Sequence, residues 1–463
     1  MSRLTDKEIA TLKSGFGGEV ITPADASYHD ARTIWNGMID KHPAVIARSK
    51  TSADVARAVN FARERGLLLA VRGGGHNIGG LALCDGGLVV DLSLMKAATV
   101  DPVARLATIE AGALLADLDA ATQAHGLATP LGINSTTGIA GLTLGGGFGW
   151  LSRRHGLTVD NLEAAEVVTA RGEVVRASAS ENADLFWALR GGGGNFGIVT
   201  RFTYRLHPVG PEVTAGLIVY SAAESRQVLR GYREFAAGAP EDLTVWAVLR
   251  DAPPLPFLPA ETHGKGMIAL ALLYLGEAGR AGRLIDPLRR FGTPIGEHVG
   301  PMPYTAWQQM FDPLLGAGAR NYWKSHNLAS LGDGLIDAAV DAAGRLPSPE
   351  CEVFIAALGG AASRPAPTAT AYAHRDAAFV MNVHGRWQAA ADDARCVGWA
   401  RAFFDATAPF AHGGAYVNFM TAEESGRIPA AYGVNYARLA QVKRAWDPQN
   451  LFSVNQNIRP AAA

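Results

Sequence analysis

The sequence predicts an α+β protein built as two substantial lobes. Three observations carry that expectation. The 463 residues exceed what a single ordinary hydrophobic core organises. Strand-like and helix-like stretches follow one another up to about residue 208. At Pro208–Gly210 the texture then shifts to Pro-rich loops, amphipathic helices and β-rich runs such as "GMIALALLYLG" and "CEVFIAALGG".

Taken in order, a short helix is expected near Thr5–Lys13 within a lead-in of about fifty residues. "SADVARAVNFARERG" spaces its apolar residues as a helix and stops at Gly66. "LLLAV", "GGLVVDLSLM" and "ARLATIEAGA" read as strands, and "LLADLDAATQAHG" as a helix ending at Gly126. "LEAAEVVTARGEVVRAS" reads as a hairpin around Arg171–Gly172. "ADLFWALRGGGGNFGIVTRFTYRLHPVG" runs helix, glycine turn, strand. Near the end, "GGAYVNF" is expected to be a strand with Tyr416 and Asn418 on one face. A helix follows, stopped by Asp447–Pro448.

Composition narrows the function classes. Formal net charge is −1 with no basic run, which argues against nucleic acid as a partner. No window approaches a transmembrane span, and "MSRLTDKEIATLKSGFGG" has no apolar core of a signal peptide. Cys84, Cys351 and Cys396 are too few and too scattered for a disulfide framework or a cysteine zinc site, so no metal is expected. The expectation is a soluble, cytoplasmic protein.

The 53 glycines are most informative where they cluster, at Gly73–Gly75, Gly145–Gly147 and Gly191–Gly194. Backbone without Cβ can approach a ligand closely and aim successive N–H groups at one anion, a pyrophosphate above all. A single run would serve a turn equally well. Three runs beside strands or helices point to a ligand. "GGGNFG", Gly192–Gly197, matches G-x-G-x-x-G letter for letter, but a helix precedes it and a strand follows. A nicotinamide fingerprint needs the reverse order, so that reading is rejected.

"VRGGGHNIGG", "GGGFGWLSRRHGLTVDN", "DLFWALRGGGGNFGIVT" and "DPQNLFSVNQNI" together resemble the FAD-linked oxidases of the vanillyl-alcohol oxidase superfamily, berberine-bridge-enzyme-like branch. "RGGGH", "LATPLG" and "GGGFGWLSRRHGL" look most similar to its oxygenating members that act on polyketides. The resemblance implies a two-lobed PCMH-type FAD-binding domain over residues 1–210, with its core at 38–208. It implies a substrate domain over 211–410, an antiparallel sheet flanked by helices, and a C-terminal segment, 411–463, returning to the FAD domain.

It also implies roles. Arg72, Gly73, Gly74, Gly75, Asn77 and Gly79 would wrap the FAD pyrophosphate. His76 would be joined covalently to the flavin 8α-methyl; read by itself, a histidine after such a loop could equally cap a backbone group or contact phosphate. Many members add a cysteine link at the position that is Asn134 here, so a single link is expected. Thr136, Thr137, Gly138, Gly141, Gly145, Gly146 and Gly147 would line the flavin. Thr137 would also sit near flavin N5 and help to place dioxygen, unless its hydroxyl merely bonds its own backbone. Asn161, Gly197, Ile198 and Val199 match positions that hold the ribityl or adenine parts. Asn418, Asn455 and Asn457 would bond the ring or the closing strand, with Gln456 facing the opposite way. Tyr416 matches a base or substrate orienter, although a phenol needs a nearby cation to accept a proton. Glu352 is the nearest spare acid on a strand where relatives carry catalytic groups, and Phe354 stands where a carboxylate is expected. Tyr304, Lys324 and His326 could face the same pocket.

The implied activity is oxidation of a small secondary-metabolite, polyketide, sugar or alcohol substrate. A hydride passes to flavin N5 and dioxygen reoxidises the flavin, by ordinary turnover or through a flavin-N5-oxide. A dehydrogenase with another acceptor and a non-catalytic flavin carrier are the alternatives.

Overall fold

The computed structural model describes residues 4–462. The first sheet holds Glu19–Ile21, Val45–Arg48, Leu88–Asp91 and Leu69–Arg72 in that spatial order. The outer pair is antiparallel and the other pairs are parallel. Parallel neighbours require a crossover. The helix Ser52–Glu64 provides one, between Val45–Arg48 and Leu69–Arg72. Its start is fixed by reciprocal bonds. Asp54 N–H donates to Thr51 Oγ1 at 3.2 Å and Thr51 N–H donates to Asp54 Oδ2 at 3.1 Å. Sequence reading placed only a helix before residue 50; the two strands there are too short to show a period.

The second sheet is antiparallel throughout, in the order Ala98–Asp101, Leu106–Glu110, Ile198–Arg205, Leu162–Val168, Val174–Ser178. Helix Ala183–Leu189 precedes the glycine run and strand Ile198–Arg205 follows it. That is the order on which the nicotinamide fingerprint was rejected.

Residues 212–387 supply a seven-stranded antiparallel sheet, in the order Pro294–Pro303, Glu212–Ser221, Gly266–Tyr274, Leu243–Asp251, Glu352–Ala357, Phe379–Trp387, Arg320–Leu328. Alternation along each strand gives the sheet two different faces. Val245, Ala247, Val353 and Val383 pack with helices Ser225–Gly238, Asp333–Ala343 and Asp393–Thr407. Trp246, Ala269, Phe354 and Val380 belong to a separate aromatic-rich cluster with Phe148, Trp150 and Tyr416.

The chain then returns. Helix Tyr436–Trp446 packs on Ala183–Leu189, and its Lys443 and Leu439 are fully buried. "GGAYVNF" is not a strand. Val417–Phe419 is a single 3₁₀ turn closed by Phe419 N–H to Tyr416 O at 2.9 Å. Among the described residues no strand pairs with it, and the local turn satisfies that backbone bond instead. Among the described residues no helix is long and apolar enough to cross a membrane.

Candidate cofactor and substrate site

A cavity of about 330 Å³ is walled by the first two sheets, the aromatic face of the seven-stranded sheet and the C-terminal segment. Strand Leu69–Arg72 delivers the loop Gly73–Asn77 into its wall. Among the described residues, the backbone N–H groups of Gly73, Gly74, Gly75, His76 and Asn77 donate to no other group of the chain. Unpaired amides on one loop suit an anion. Gly75 holds φ +71°, a conformation that favours glycine. A Cβ on Gly141 or on Gly194 would meet nothing within 4 Å, so both open onto space at the wall. Asn455 forms part of the wall, and its Oδ1 is buried without a partner while its Nδ2 donates to Gly194 O at 3.1 Å. Free amides, open glycines and an unfilled acceptor together fit a ligand with both diphosphate and ring.

His76 lies in that loop, directly after its glycines. Its ring stacks on Trp35, with centroids 5.1 Å apart and planes 21° apart. Nε2 lies 3.1 Å from Thr136 Oγ1, and Nδ1 has no partner in the chain. Burial pushes the imidazole down to about 4, with Thr136 opposing only in part. At neutral pH it is therefore uncharged, and a neutral imidazole keeps a lone pair for bonding. Asn134 also lies in the wall, its Oδ1 accepting from Thr136 N–H at 3.1 Å and Thr136 Oγ1 at 2.7 Å. Among the described residues no cysteine lies in the wall. Cys84 is buried at the first sheet, where burial raises its thiol to about 11.

Gly138, Gly145, Gly197, Ile198, Val199 and Asn418 are wall residues, as are Thr137, Tyr416 and Glu352. The Thr137 hydroxyl makes no bond within the chain, so the backbone-bonded alternative does not describe it. Tyr416 Oη accepts from Gly147 N–H at 3.2 Å and from Asn418 Nδ2 at 3.0 Å. Burial raises this phenol well above its ordinary value, with those two bonds opposing, and no cation is in contact with it. The geometry keeps Tyr416 protonated.

Other expected residues stand outside the wall, each with a physical reason. Arg72 turns away and Nη1 donates to Ala31 O at 2.5 Å. Gly79 lies against the C-terminal segment, where a Cβ would come within 2.8 Å of Ala422 N. Gly146 and Gly147 take φ +118° and +70° and pack against Tyr372 and Thr158. Thr136 acts through His76. Asn161 spends its amide on His155 O and Leu157 O, both at 2.9 Å, and its Oδ1 meets His207 Nε2 at 2.6 Å. Asn457 is not in the wall, whereas Gln456 is; the tail there is not a strand, so strict alternation fails. Tyr304 is buried near Asp119, Lys324 pairs with Glu423 at 3.0 Å, and His326 bonds Phe404 O at 2.9 Å. None of these three faces the cavity.

The sequence reading missed Trp35, Trp246, Trp323, Asn382 and His384, all in the wall. Strand register places Trp323 opposite His384, His384 opposite Glu352, and Glu352 opposite Arg250. Glu352 Oε2 accepts from Arg250 Nη1 at 2.8 Å and Oε1 lies 3.1 Å from His384 Nδ1. Burial alone would raise the Glu352 carboxyl; Arg250 first and then His384 outweigh it and hold it at about 2. Its folded value lies below the ordinary 4.5, so its stabilisation is complete above that pH and is lost as pH falls toward 2. The melting temperature of wild type should exceed that of Glu352→Gln by a constant margin from pH 7 to 5. The margin should shrink below that in parallel melts, and a margin that stays constant into the acid range would contradict the assignment.

The site so built has room and donors that fit an extended, anion-bearing cofactor beneath the aromatic face of the seven-stranded sheet. Residues 43–178 match the FAD binding domain family, and residues 415–459 the berberine and berberine-like family. An FAD-linked oxidoreductase of Dictyostelium discoideum is 32% identical over 92% of this chain and 91% of its own length. (R)-6-hydroxynicotine oxidase of Paenarthrobacter nicotinovorans is 30% identical over 96% of this chain and 97% of its own. The solved structure of Physcomitrella patens BBE-like 1 superposes with a TM-score of 0.89, at 25% identity, covering 98% of this chain and 100% of that one. The chain belongs to the berberine-bridge-enzyme-like FAD-linked oxidoreductases, with the PCMH-type FAD-binding fold.

Proposed function

We propose that this enzyme binds FAD through one covalent bond, at His76, and oxidises a small uncharged organic substrate with dioxygen as the final acceptor. In this reading residues 1–210 and 411–463 hold the cofactor and residues 211–410 the substrate. The observation that carries it is the neutral His76 imidazole, with Nε2 held by Thr136 and Nδ1 unpartnered, within the loop of free amides. Asn134 at the place of a second link, and no cysteine in the wall, support one bond only. Three free, buried thiols suit a reducing compartment such as the cytoplasm.

When bound, the flavin supplies a two-electron acceptor for a substrate hydride. The residues do the rest. The Gly73–Asn77 amides take the diphosphate. Trp35 fixes the plane of His76, and Thr136 fixes its tautomer. Tyr416, kept protonated, ties Gly147 to Asn418 and shapes the wall. Trp246, Phe354 and Phe419 keep water from the substrate side.

Acid precipitation tests the covalent bond. Yellow colour should stay in the wild-type pellet and pass to the supernatant for His76→Ala. Release from wild type would refute the bond. Oxygen uptake with substrate separates an oxidase from a dehydrogenase, and a flavin that no substrate bleaches would mark a carrier. The free Thr137 hydroxyl can hydrogen-bond the ring edge. Loss of one such bond is worth about 1 kcal/mol, so Thr137→Val is expected to slow reoxidation in air about fivefold; an unchanged rate would remove that role.

A further inference from the structure

We infer that His384 is the proton acceptor of this enzyme, positioned by Glu352 and Arg250, and that the substrate is an uncharged alcohol on an apolar body. This rests on the flavin reading of the cavity given above. His384 is 5% exposed, lies in the cavity wall, and has one ring nitrogen accounted for. Glu352 Oε1, 3.1 Å away, takes Nδ1–H and so leaves Nε2 as the lone-pair nitrogen. Nε2 is buried without a partner. A buried acceptor with nothing to accept is uncommon and calls for a donor. In this wall the donor comes from a ligand, and an alcohol O–H fits.

The charges select the substrate class. Glu352 is matched by Arg250 at 2.8 Å. Arg386, two residues along the same strand and therefore on the same face, is matched by Glu350 at 3.0 Å. Glu352, Arg250 and Arg386 with its Glu350 are the charged groups beside His384 on its own and the adjoining strands; Trp323, on its other side, is neutral. An ammonium or carboxylate substrate would find no free counter-charge. The remaining neighbours, Trp246, Phe354 and Trp323, suit an apolar or aromatic body.

The step balances. The alcohol O–H breaks and its proton passes to His384 Nε2. The carbinol C–H would break with its electron pair, for which bound oxidised flavin would supply the hydride acceptor. The alcohol would thereby lose two electrons to that acceptor and become a carbonyl compound. Glu352 stabilises the imidazolium that forms.

The test uses full-length, flavin-loaded protein. Anaerobic bleaching is followed with benzyl alcohol, cyclohexanol, glucose and benzylamine. His384→Gln should slow bleaching by the best alcohol by about 10²–10⁴-fold, with flavin content and acid-stable attachment unchanged. It should also abolish the rise in rate with pH expected of wild type. Glu352→Gln should slow it less, with part of that pH dependence retained. Protein labelled with ¹⁵N-histidine gives a readout independent of turnover, with the His384 signal assigned by its loss in His384→Gln. Wild type should show the Nδ1–H tautomer, and Glu352→Gln should lose that preference. A wild-type Nε2–H tautomer overturns the inference, as does wild-type bleaching or pH dependence in His384→Gln. Bleaching by benzylamine in preference to every alcohol, or by no alcohol, overturns the substrate class. Protein without flavin would instead count against the cofactor reading.

Discussion

Lys443→Ala is expected to destabilise the protein by about 3–5 kcal/mol, the usual result of removing one partner from a buried ion pair. Lys443 and Asp447 side chains are both 0% exposed, and Nζ lies 2.6 Å from Asp447 Oδ2. The ammonium also donates to Asn195 O at 2.7 Å and Phe452 O at 2.9 Å, so all three donors are used. Burial lowers the lysine pKa and Asp447 opposes it. Alanine would leave a buried carboxylate whose other bonds come from Leu451 and Phe452 N–H groups. The substitution also removes the bond to the carbonyl of wall residue Asn195, whose side chain stays bonded to Gln456 O and Ile458 N–H. Thermal melts should show the loss of stability, and flavin fluorescence should appear at a lower temperature than in wild type. A melt within a degree of wild type would show that the pair is not structural.

Gly74→Ala is expected to yield protein with little or no flavin. A Cβ there would lie 2.4 Å from Gly138 N and 2.5 Å from Gly138 Cα. The contact is backbone against backbone, so no rotamer relieves it. The reciprocal Cβ on Gly138 would meet Gly74 N at 2.2 Å. Overpacking of this kind costs about 1–3 kcal/mol and occasionally more. Each 1.4 kcal/mol is about tenfold in affinity, so cofactor affinity should fall by one to two orders of magnitude. Gly141→Ala is the control, because its Cβ meets no protein atom. With His76→Ala also introduced in both, so that flavin can be removed, it should melt like the parent without flavin, yet bind flavin more weakly. Full flavin content in purified Gly74→Ala protein would contradict the close approach of the two loops.

The cofactor half was legible because its chemistry is local. Gly73–Gly75 and His76 are adjacent, and the reason for each is visible within ten residues of chain. The substrate half is assembled by register. His384 and Glu352 are 32 apart in sequence and meet only because Glu352–Ala357 and Phe379–Trp387 pair antiparallel. One signal was available. Asn382, His384 and Arg386 alternate inside "FVMNVHGRW", a strand buried along its whole length. Polar residues at every second position of a buried strand need partners, and those partners mark a site. Trp35 gave no such signal, since nothing in "TIWNGMID" foretells its stack on His76. Tyr416 and Asn418 were paired correctly, but through a turn and a hydrogen bond rather than a shared strand face.

In the proposed reading, in which the amides of Gly73–Asn77 hold the FAD diphosphate, protein yield follows vitamin supply. Hydrogen-bond donors that the polypeptide leaves unfilled are a standing cost to the flavin-free chain. A ligand that fills them stabilises the native form by RT ln(1 + [L]/Kd). Folding yield therefore becomes a function of the free FAD concentration in the producing cell. A riboflavin-starved host should accumulate this enzyme as aggregate or degraded chain, at unchanged transcript level, and supplementation should restore soluble protein without any change in the gene.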